Sequence, residues 1–384
     1  MAARTVLYIL PNSAKGGAEQ LTGLMLRHHD SARWRGIAYF FGPGPFVEEL
    51  SGMRTQDGRT LEIRVSRQSA RPRLRHLGNV WRFARELALI IREEKVDLVH
   101  SAMGYGHLFG GLAARMAGVP EVWYQHGPTG TLDWLTGRVP SACVLVNSRY
   151  TKAEQRRYRA WSRQGSALVI PATETVALAP LLARREVERA AWGVRPSEIL
   201  VAHFGRITVM KGQRLFLAAA ARVAARIPEA RFLVIGSPFR GDDPAYAAGL
   251  RELARTEGLA ERVIFRDYVP DPRGLMAASE IVVNSSIVPE PFGLTIIEAM
   301  AVARPVIAPR AGGPLEIFVD GQAGVFFRPG DAVDLAARIG ELARDSARRE
   351  RLGRAGRAAV EGRFSPARMT RELEAIYDET LATS

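Results

Sequence analysis

The chain has 384 residues, 47% of them hydrophobic, with a formal net charge of +13 at pH 7. That length supports two ordinary domains rather than one, no run approaches the roughly 18 apolar residues of a membrane span, and a single cysteine, Cys143, excludes an internal disulfide or a cysteine-held zinc. Only Lys15, Lys95, Lys152 and Lys211 among the 53 basic residues are lysines. The even spread of arginine reads as compositional bias. With no helix-turn-helix, zinc knuckle or aromatic RNA-binding signature, it does not predict a nucleic-acid partner. An anionic membrane surface or an anionic small substrate accounts for the charge equally well.

The N-terminus enters a strand pattern at once, Val6–Leu10, so no signal peptide is expected, and the lone cysteine fits a reducing cytoplasm. After Pro11 comes a loop with the pair Gly16-Gly17, then a helix pattern through Leu21, Leu24, Met25 and Leu26. Paired glycines between a first strand and a first helix let a ligand approach the backbone closely, but the spacing matches neither a dinucleotide fingerprint nor a P-loop. A flexible turn is the alternative. Gly42-Pro43-Gly44-Pro45 reads as a loop. Residues 71–92 interleave six arginines (Arg71, Arg73, Arg75, Arg82, Arg85, Arg92) with Leu74, Leu77, Trp81, Phe83 and Leu87. The segment fits a crossover helix with a solvated arginine face, or a basic amphipathic helix lying on anionic lipid.

Val96–His100 and Val122–Gln125 are predicted strands. The second delivers His126 to a strand's C-terminal end, where open α/β sheets hold their ligands. His100 and His107 have no such position. Val144–Val146 leads into Asn147-Ser148-Arg149, a helix entry, and Leu168–Pro171 ends the first strand series. The Ala-, Glu- and Arg-rich stretch 172–195 reads as a connector. A second series follows: Ile199–Ala202, Phe232–Ile235, Val263–Phe265, Ile281–Val283, Val306–Ala308 and a late strand, Gly324–Arg328. Arg206 and Lys211 follow the first strand of this series and suit a diphosphate as a fork and a point charge, with two solvated loop cations as the alternative. Asp331 to Arg357 is predicted helical, and a final helix spans Pro366–Leu381. Two β/α series predict two doubly wound domains with the active cleft between them.

The densest stretch is Pro289-Glu290-Pro291-Phe292-Gly293-Leu294-Thr295-Ile296-Ile297-Glu298. It bends from a buried strand into a helix with Leu294, Ile297 and Met300 at helical spacing. A helix start at a strand end offers N–H groups and a positive dipole end to a phosphate. Glu290 and Glu298 flank that start and can accept paired hydrogen bonds from a polyhydroxy ligand. A strand–helix junction with solvated glutamates is the bland alternative.

With Gly205-Arg206, Lys211-Gly212, Val234-Ile235-Gly236, the Glu290/Glu298 pair and Gly312-Gly313 with Glu316 in this order, the chain resembles the retaining, GT-B-fold glycosyltransferases of family GT4. The resemblance implies two Rossmann-like domains facing each other across a cleft: an acceptor-binding domain at 1–178, a nucleotide-sugar donor domain at 179–365, and a helix at 366–384 returning to the first. It implies transfer of a sugar from a UDP- or GDP-sugar to a glycan, lipid-linked or small-molecule acceptor, with no cofactor and no required metal. Arg206 and Lys211 would hold the diphosphate, the backbone of Gly293, Leu294 and Thr295 beside Phe292 would cradle the phosphates, Glu298 would bind ribose, and Glu290 the donor sugar. Gly16 and Gly17 would close on the donor, and His126 would lie beside the transferred sugar. A cytoplasmic enzyme, peripheral to the membrane through 71–92 where the acceptor is a lipid, is the expected setting. One departure stands out: the family usually has Asn-Gly after the proline closing the first domain, and here Ala172-Thr173-Glu174-Thr175 follows Pro171. The rival readings are a nucleotide-sugar epimerase or hydrolase on the same fold, and a non-catalytic scaffold.

Overall fold

The computed structural model describes residues 3–66, 77–127, 136–158, 162, 164–238 and 243–384. They form two compact units, Met1–Ala172 with Pro366–Ser384, and Thr173–Ser365.

The first unit is built on β1 (Arg4–Leu10), β2 (Trp34–Phe40), β3 (Glu62–Val65), β4 (Leu98–Ala102), β5 (Glu121–Gln125), β6 (Cys143–Val146) and β7 (Ser166–Leu168). They pair in the order β3-β2-β1-β4-β5-β6-β7, every pair parallel. In β1 every residue after Arg4 is buried, as a parallel strand covered on both faces requires. Leu7, Ile9, Ile37, Tyr39, Phe83, Leu87 and Phe109 make the main apolar cluster. The helix Pro366–Ala382 completes this unit, although it is last in sequence. Its Tyr377 hydroxyl donates to Tyr8 Oη over 3.1 Å, and its buried Glu374 accepts from the Asp30 N–H (2.9 Å) and pairs with His29 Nδ1 (3.0 Å).

The second unit carries β8 (Ile199–Phe204), β9 (Ala230–Ile235), β10 (Val263–Arg266), β11 (Ile281–Val283), β12 (Val306–Pro309) and β13 (Val325–Phe327), in the order β10-β9-β8-β11-β12-β13, again all parallel. Each sheet reverses its winding beside its first strand, between β1 and β4 and between β8 and β11. Those switch points open crevices at the strands' C-terminal ends.

The structure corrects the sequence reading in five places. β2 and β3 were not expected. Pro45 starts a helix, Pro45–Ser51, where a loop was expected. The first series ends at Leu168, with Val169–Pro171 outside any strand. The connector 172–195 holds two short helices, Leu178–Ala183 and Arg185–Ala191. The long helical stretch from Asp331 is two helices, Ala332–Arg344 and Ser346–Arg363, divided at Asp345, whose carboxylate caps the second by accepting from Arg348 N–H at 2.8 Å. Residues 71–76 lie outside the described residues. From there Leu77–Glu93 is a crossover helix that buries Val80, Phe83, Leu87 and Ile91 and leaves Arg82 and Arg85 outside. Among the described residues no helix is long and apolar enough to cross a membrane.

Candidate functional site

At the switch point of the second sheet, β8 runs into Gly205 and the exposed Arg206, then a 3₁₀ turn, Val209–Lys211. β11 runs into the polar triplet Asn284-Ser285-Ser286. The two loops are sewn together around Lys211. His203 Nε2 donates to the Lys211 carbonyl (3.1 Å), and Ser285 Oγ lies 3.1 Å from that carbonyl and 3.0 Å from the Gly212 carbonyl. Gly212 has φ +68°, and a Cβ there would collide with the Ser285 carbonyl, so only glycine lets the loops approach this closely.

The Lys211 side chain reaches across to Glu290, with Nζ 2.6 Å from Oε1. The same oxygen accepts from Ser286 Oγ (2.5 Å) and Asn284 Nδ2 (3.3 Å), while Asn284 Oδ1 takes the Ser286 N–H at 3.0 Å. Burial pushes the Glu290 carboxyl upward. The Lys211 charge and hydrogen bond, with those of Ser286 and Asn284, outweigh it and hold the group below the ordinary 4.5. Glu290 is therefore a fixed, ionised acceptor. Its backbone is clamped as well, since Gly313 N–H donates to the Glu290 carbonyl over 2.8 Å. Burial also pushes His203 down to about 4, so it stands neutral.

Three residues on, Gly293 turns the chain at φ +112° into the helix Leu294–Ala301, which no side chain caps. Ile296, Ile297 and Met300 are buried, whereas Leu294, Thr295 and Glu298 are only partly so. Leu294 thus departs from the expected apolar stripe and shares the partly open face with Glu298. Phe292 is buried edge-on against Phe364, ring centroids 5.9 Å apart, so this residue faces the core rather than the crevice with its side chain. Glu298 lies in the field of Arg273, whose guanidinium is also 3.7 Å from Glu174.

The remaining expected site residues belong to the first unit. Gly16 and Gly17 are exposed at the start of the helix Gly17–His28, where the buried Glu19 accepts from Asn12 Nδ2 at 3.1 Å. His126 follows β5, its ring centroid 4.1 Å from that of Tyr124. Among the described residues neither ring nitrogen, both shut off from solvent, has a hydrogen-bond partner, and burial pushes the ring down to about 3. A neutral imidazole with unspent hydrogen-bonding capacity is a group that a polar ligand would satisfy. His100 and His107 are otherwise engaged, His100 with the Tyr377 hydroxyl and His107 with Glu121 (2.9 Å) and the Val139 carbonyl (3.1 Å).

The structure therefore gathers Arg206, Lys211, Glu290, Phe292, Gly293, Leu294, Thr295 and Glu298 along the loops of the second unit, and sets Gly16, Gly17 and His126 in loops of the first. Asn284, Ser286 and His203 were missed. The signal for the first two was present, a polar triplet directly after a buried strand. Among the described residues no group of three His, Cys, Asp or Glu is disposed to hold a metal ion.

Two parallel doubly wound sheets, with a lysine–glutamate pair beside an uncapped helix start at the second switch point, define a GT-B glycosyltransferase framework. Residues 184–359 match the family described as Glycosyl transferases group 1, and residues 16–172 match Glycosyltransferase Family 4. The chain belongs to this family of glycosyltransferases. It is 36% identical over 180 residues to a D-inositol 3-phosphate glycosyltransferase of Nocardia farcinica, covering 46% of this chain and 39% of that protein. It is 28% identical over 297 residues to the sulfoquinovosyl transferase SQD2 of Arabidopsis thaliana, covering 70% of this chain and 54% of SQD2. The aligned regions thus span about half or less of these relatives. Anabaena HepE, solved in complex with UDP-glucose, superposes with a TM-score of 0.83 at 22% identity, over 98% of this chain and 99% of HepE, a likeness of fold.

Proposed function

We propose that the protein transfers a sugar from a nucleoside diphosphate sugar, UDP- or GDP-linked, to a glycan, lipid-linked or small-molecule acceptor, with retention of anomeric configuration and without a required metal. The observation that carries this reading is the Lys211–Glu290 pair beside the uncapped start of Leu294–Ala301, one cation, one carboxylate and one anion-favouring helix end in one crevice. The relative solved with UDP-glucose supports a UDP-sugar as the first donor to test.

In this reading Lys211 and Arg206 meet the diphosphate and offset the charge that develops as the sugar–phosphate bond breaks. The N–H groups of Leu294 and Thr295, ahead of the Ile296 N–H that the Gly293 carbonyl takes at 3.0 Å, face the phosphates. Glu298 takes the ribose hydroxyls. Glu290 Oε1 is already committed to three donors, so the carboxylate serves as a positioned acceptor for hydroxyls of the donor sugar rather than as a nucleophile. Roles for Gly16, Gly17 and Phe292 at the donor, and for His126 beside the transferred sugar, rest on the family resemblance.

A thermal-shift screen of UDP, GDP, ADP, CMP and their sugar conjugates, without added metal, tests the reading. A donor at a hundred times its dissociation constant stabilises by about 2.7 kcal/mol. One responding nucleotide, whose sugar conjugate is consumed only when an acceptor is supplied, supports transfer. Stabilisation by none, in folded protein, overturns it, and donor breakdown with no acceptor favours a hydrolase or epimerase.

A further inference from the structure

The two loops that carry Lys211 and Glu290 also hold apolar side chains in water. Val209 and Met210, directly before Lys211, are 54% and 48% exposed, and Ile287 and Val288, just ahead of Glu290, are 44% and 41% exposed. The Ile287 N–H donates to the Met210 carbonyl over 3.0 Å, so the two pairs lie side by side. Single exposed apolar residues need no explanation, whereas a patch of them marks a binding surface.

At Val209 and Ile287 the surface opens into a cavity of about 340 Å³, which the starts of the helices Gln213–Ala224 and Pro244–Thr256 also border. Val209, Leu215, Ile287 and Tyr246 line it, and the buried Tyr246 hydroxyl is anchored 3.4 Å from Gln213 Oε1. The charged residues of the lining are Asp243 and Arg214. Asp243 is engaged as the N-cap of Pro244–Thr256, accepting from the Ala245 N–H at 2.9 Å. Arg214 is exposed, its guanidinium 5.4 Å from the Tyr246 ring centroid, and among the described residues no carboxylate pairs with it. The cavity thus joins apolar walls to a cation that lacks an anion.

We propose that this cavity holds the hydrocarbon chain of a lipid-linked acceptor whose phosphate meets Arg214. The inference rests on the sugar-transfer reading above and narrows its acceptor to a phosphate-bearing lipid. The volume lies at the small end of the roughly 300–1,000 Å³ range of ligand pockets, which suits one chain. A guanidinium beside apolar walls matches an anionic headgroup joined to that chain, whereas a soluble glycan would leave the exposed apolar patch wet. Gly212 lines the same cavity, and its carbonyl accepts from Ser285 in the loop that leads to Glu290, so the chain lies beside the crevice where the sugar is held. The unit that binds the donor then also selects the acceptor, by its tail.

The test titrates the full chain with butyl, hexyl and octyl phosphate below their micelle-forming concentrations, with inorganic phosphate as the control. Affinity measured by calorimetry should rise about fourfold for each added methylene, the transfer free energy of one buried CH₂ expressed as a ratio of dissociation constants. Val209→Asp and Ile287→Asp, both at exposed positions, should each weaken octyl phosphate by about tenfold or more. Arg214→Gln should weaken all three phosphates by one common factor, because it removes a headgroup contact and leaves the walls intact. The three variants should keep the rise in melting midpoint that UDP causes. Affinity independent of chain length, or octyl phosphate binding unchanged in both aspartate variants, overturns the proposal. So does co-sedimentation with phosphatidylglycerol vesicles without binding of the monomeric phosphates, which would make the patch a membrane-facing surface. Failure of UDP to stabilise the unaltered chain overturns the donor reading instead, and with it the role of a bound lipid phosphate as acceptor.

Discussion

Lys211 and Glu290, 79 positions apart in sequence, meet through a 2.6 Å ion pair at the switch point of the second sheet. Each answers the other's burial, so the cation that would meet a diphosphate is first engaged with the carboxylate that would meet the sugar. In the proposed reading, a bound donor would replace a partner that Lys211 already has. Lys211→Ala should lower turnover at least tenfold, about 1.4 kcal/mol of transition-state stabilisation. The same change leaves Glu290 with only Ser286 and Asn284 for donors, and its titration should move upward. An unchanged rate in steady-state kinetics would remove the diphosphate role.

Glu298 sits on the partly open face of Leu294–Ala301, away from the buried Ile296, Ile297 and Met300. Glu298→Ala should keep the melting midpoint of the unliganded protein within about 0.5 kcal/mol equivalent, as for substitutions that open no cavity. Nucleotide affinity measured by calorimetry should fall at least tenfold. Wild-type affinity in that variant counts against ribose binding.

Ser286 gives Glu290 a charge-assisted hydrogen bond of a kind that contributes about 1.5–3 kcal/mol. Ser286→Ala frees Glu290 to rotate while Lys211 stays in place. The expected signature is a raised KM for the sugar conjugate with unchanged affinity for the bare nucleotide. Equal losses for both ligands would mean that Ser286 supports the loop rather than the carboxylate.

Three buried histidines set the response to acid. Burial holds His126 at about 3 and His203 at about 4 against an ordinary 6.5, and His100 well below it. As pH drops below 6.5 the unfolded chain takes up protons that the folded chain refuses, so stability falls. The loss from His203 continues to about pH 4 and that from His126 to about pH 3. Each such group adds at most about 1.4 kcal/mol per pH unit to the slope. Glu290, held below its ordinary 4.5, contributes fully above that value and loses its contribution as pH falls from there through the lower folded value, beneath most of this window. The melting midpoint should decline steadily from pH 6.5 to 4, and His203→Gln should flatten the profile. A midpoint constant over that range would contradict the neutral assignment.

The second unit was more legible in the sequence than the first, for a physical reason. Its strands are short apolar runs such as Ile281–Val283, and its site residues cluster within turns that glycine and proline mark, from Gly205 to Gly212 and from Pro289 to Gly293. In the first unit β2, Trp34-Arg35-Gly36-Ile37, carries an arginine and a glycine in its first three residues, and β3, Glu62-Ile63-Arg64-Val65, alternates charge with branched apolar residues. Those charges are absorbed by long-range pairs, Arg64 Nη2 with Glu94 Oε1 (2.6 Å) and Arg35 Nη2 with Glu94 Oε2 (2.8 Å), which no local pattern announces. The support of Glu290 by Asn284 and Ser286 depends on the loop doubling back, and only coordinates reveal that.

The helix Pro366–Ala382 belongs to the first unit but is encoded after the second. Domains usually mature in the order in which they leave the ribosome. Here residues 173–365 are all synthesised while Tyr8, His29 and His100 still lack Glu374 and Tyr377. The earlier-made half thus waits with an open seam, and the later-made half is the first that can finish. Newly made chain carries that seam until the helix Pro366–Ala382 emerges.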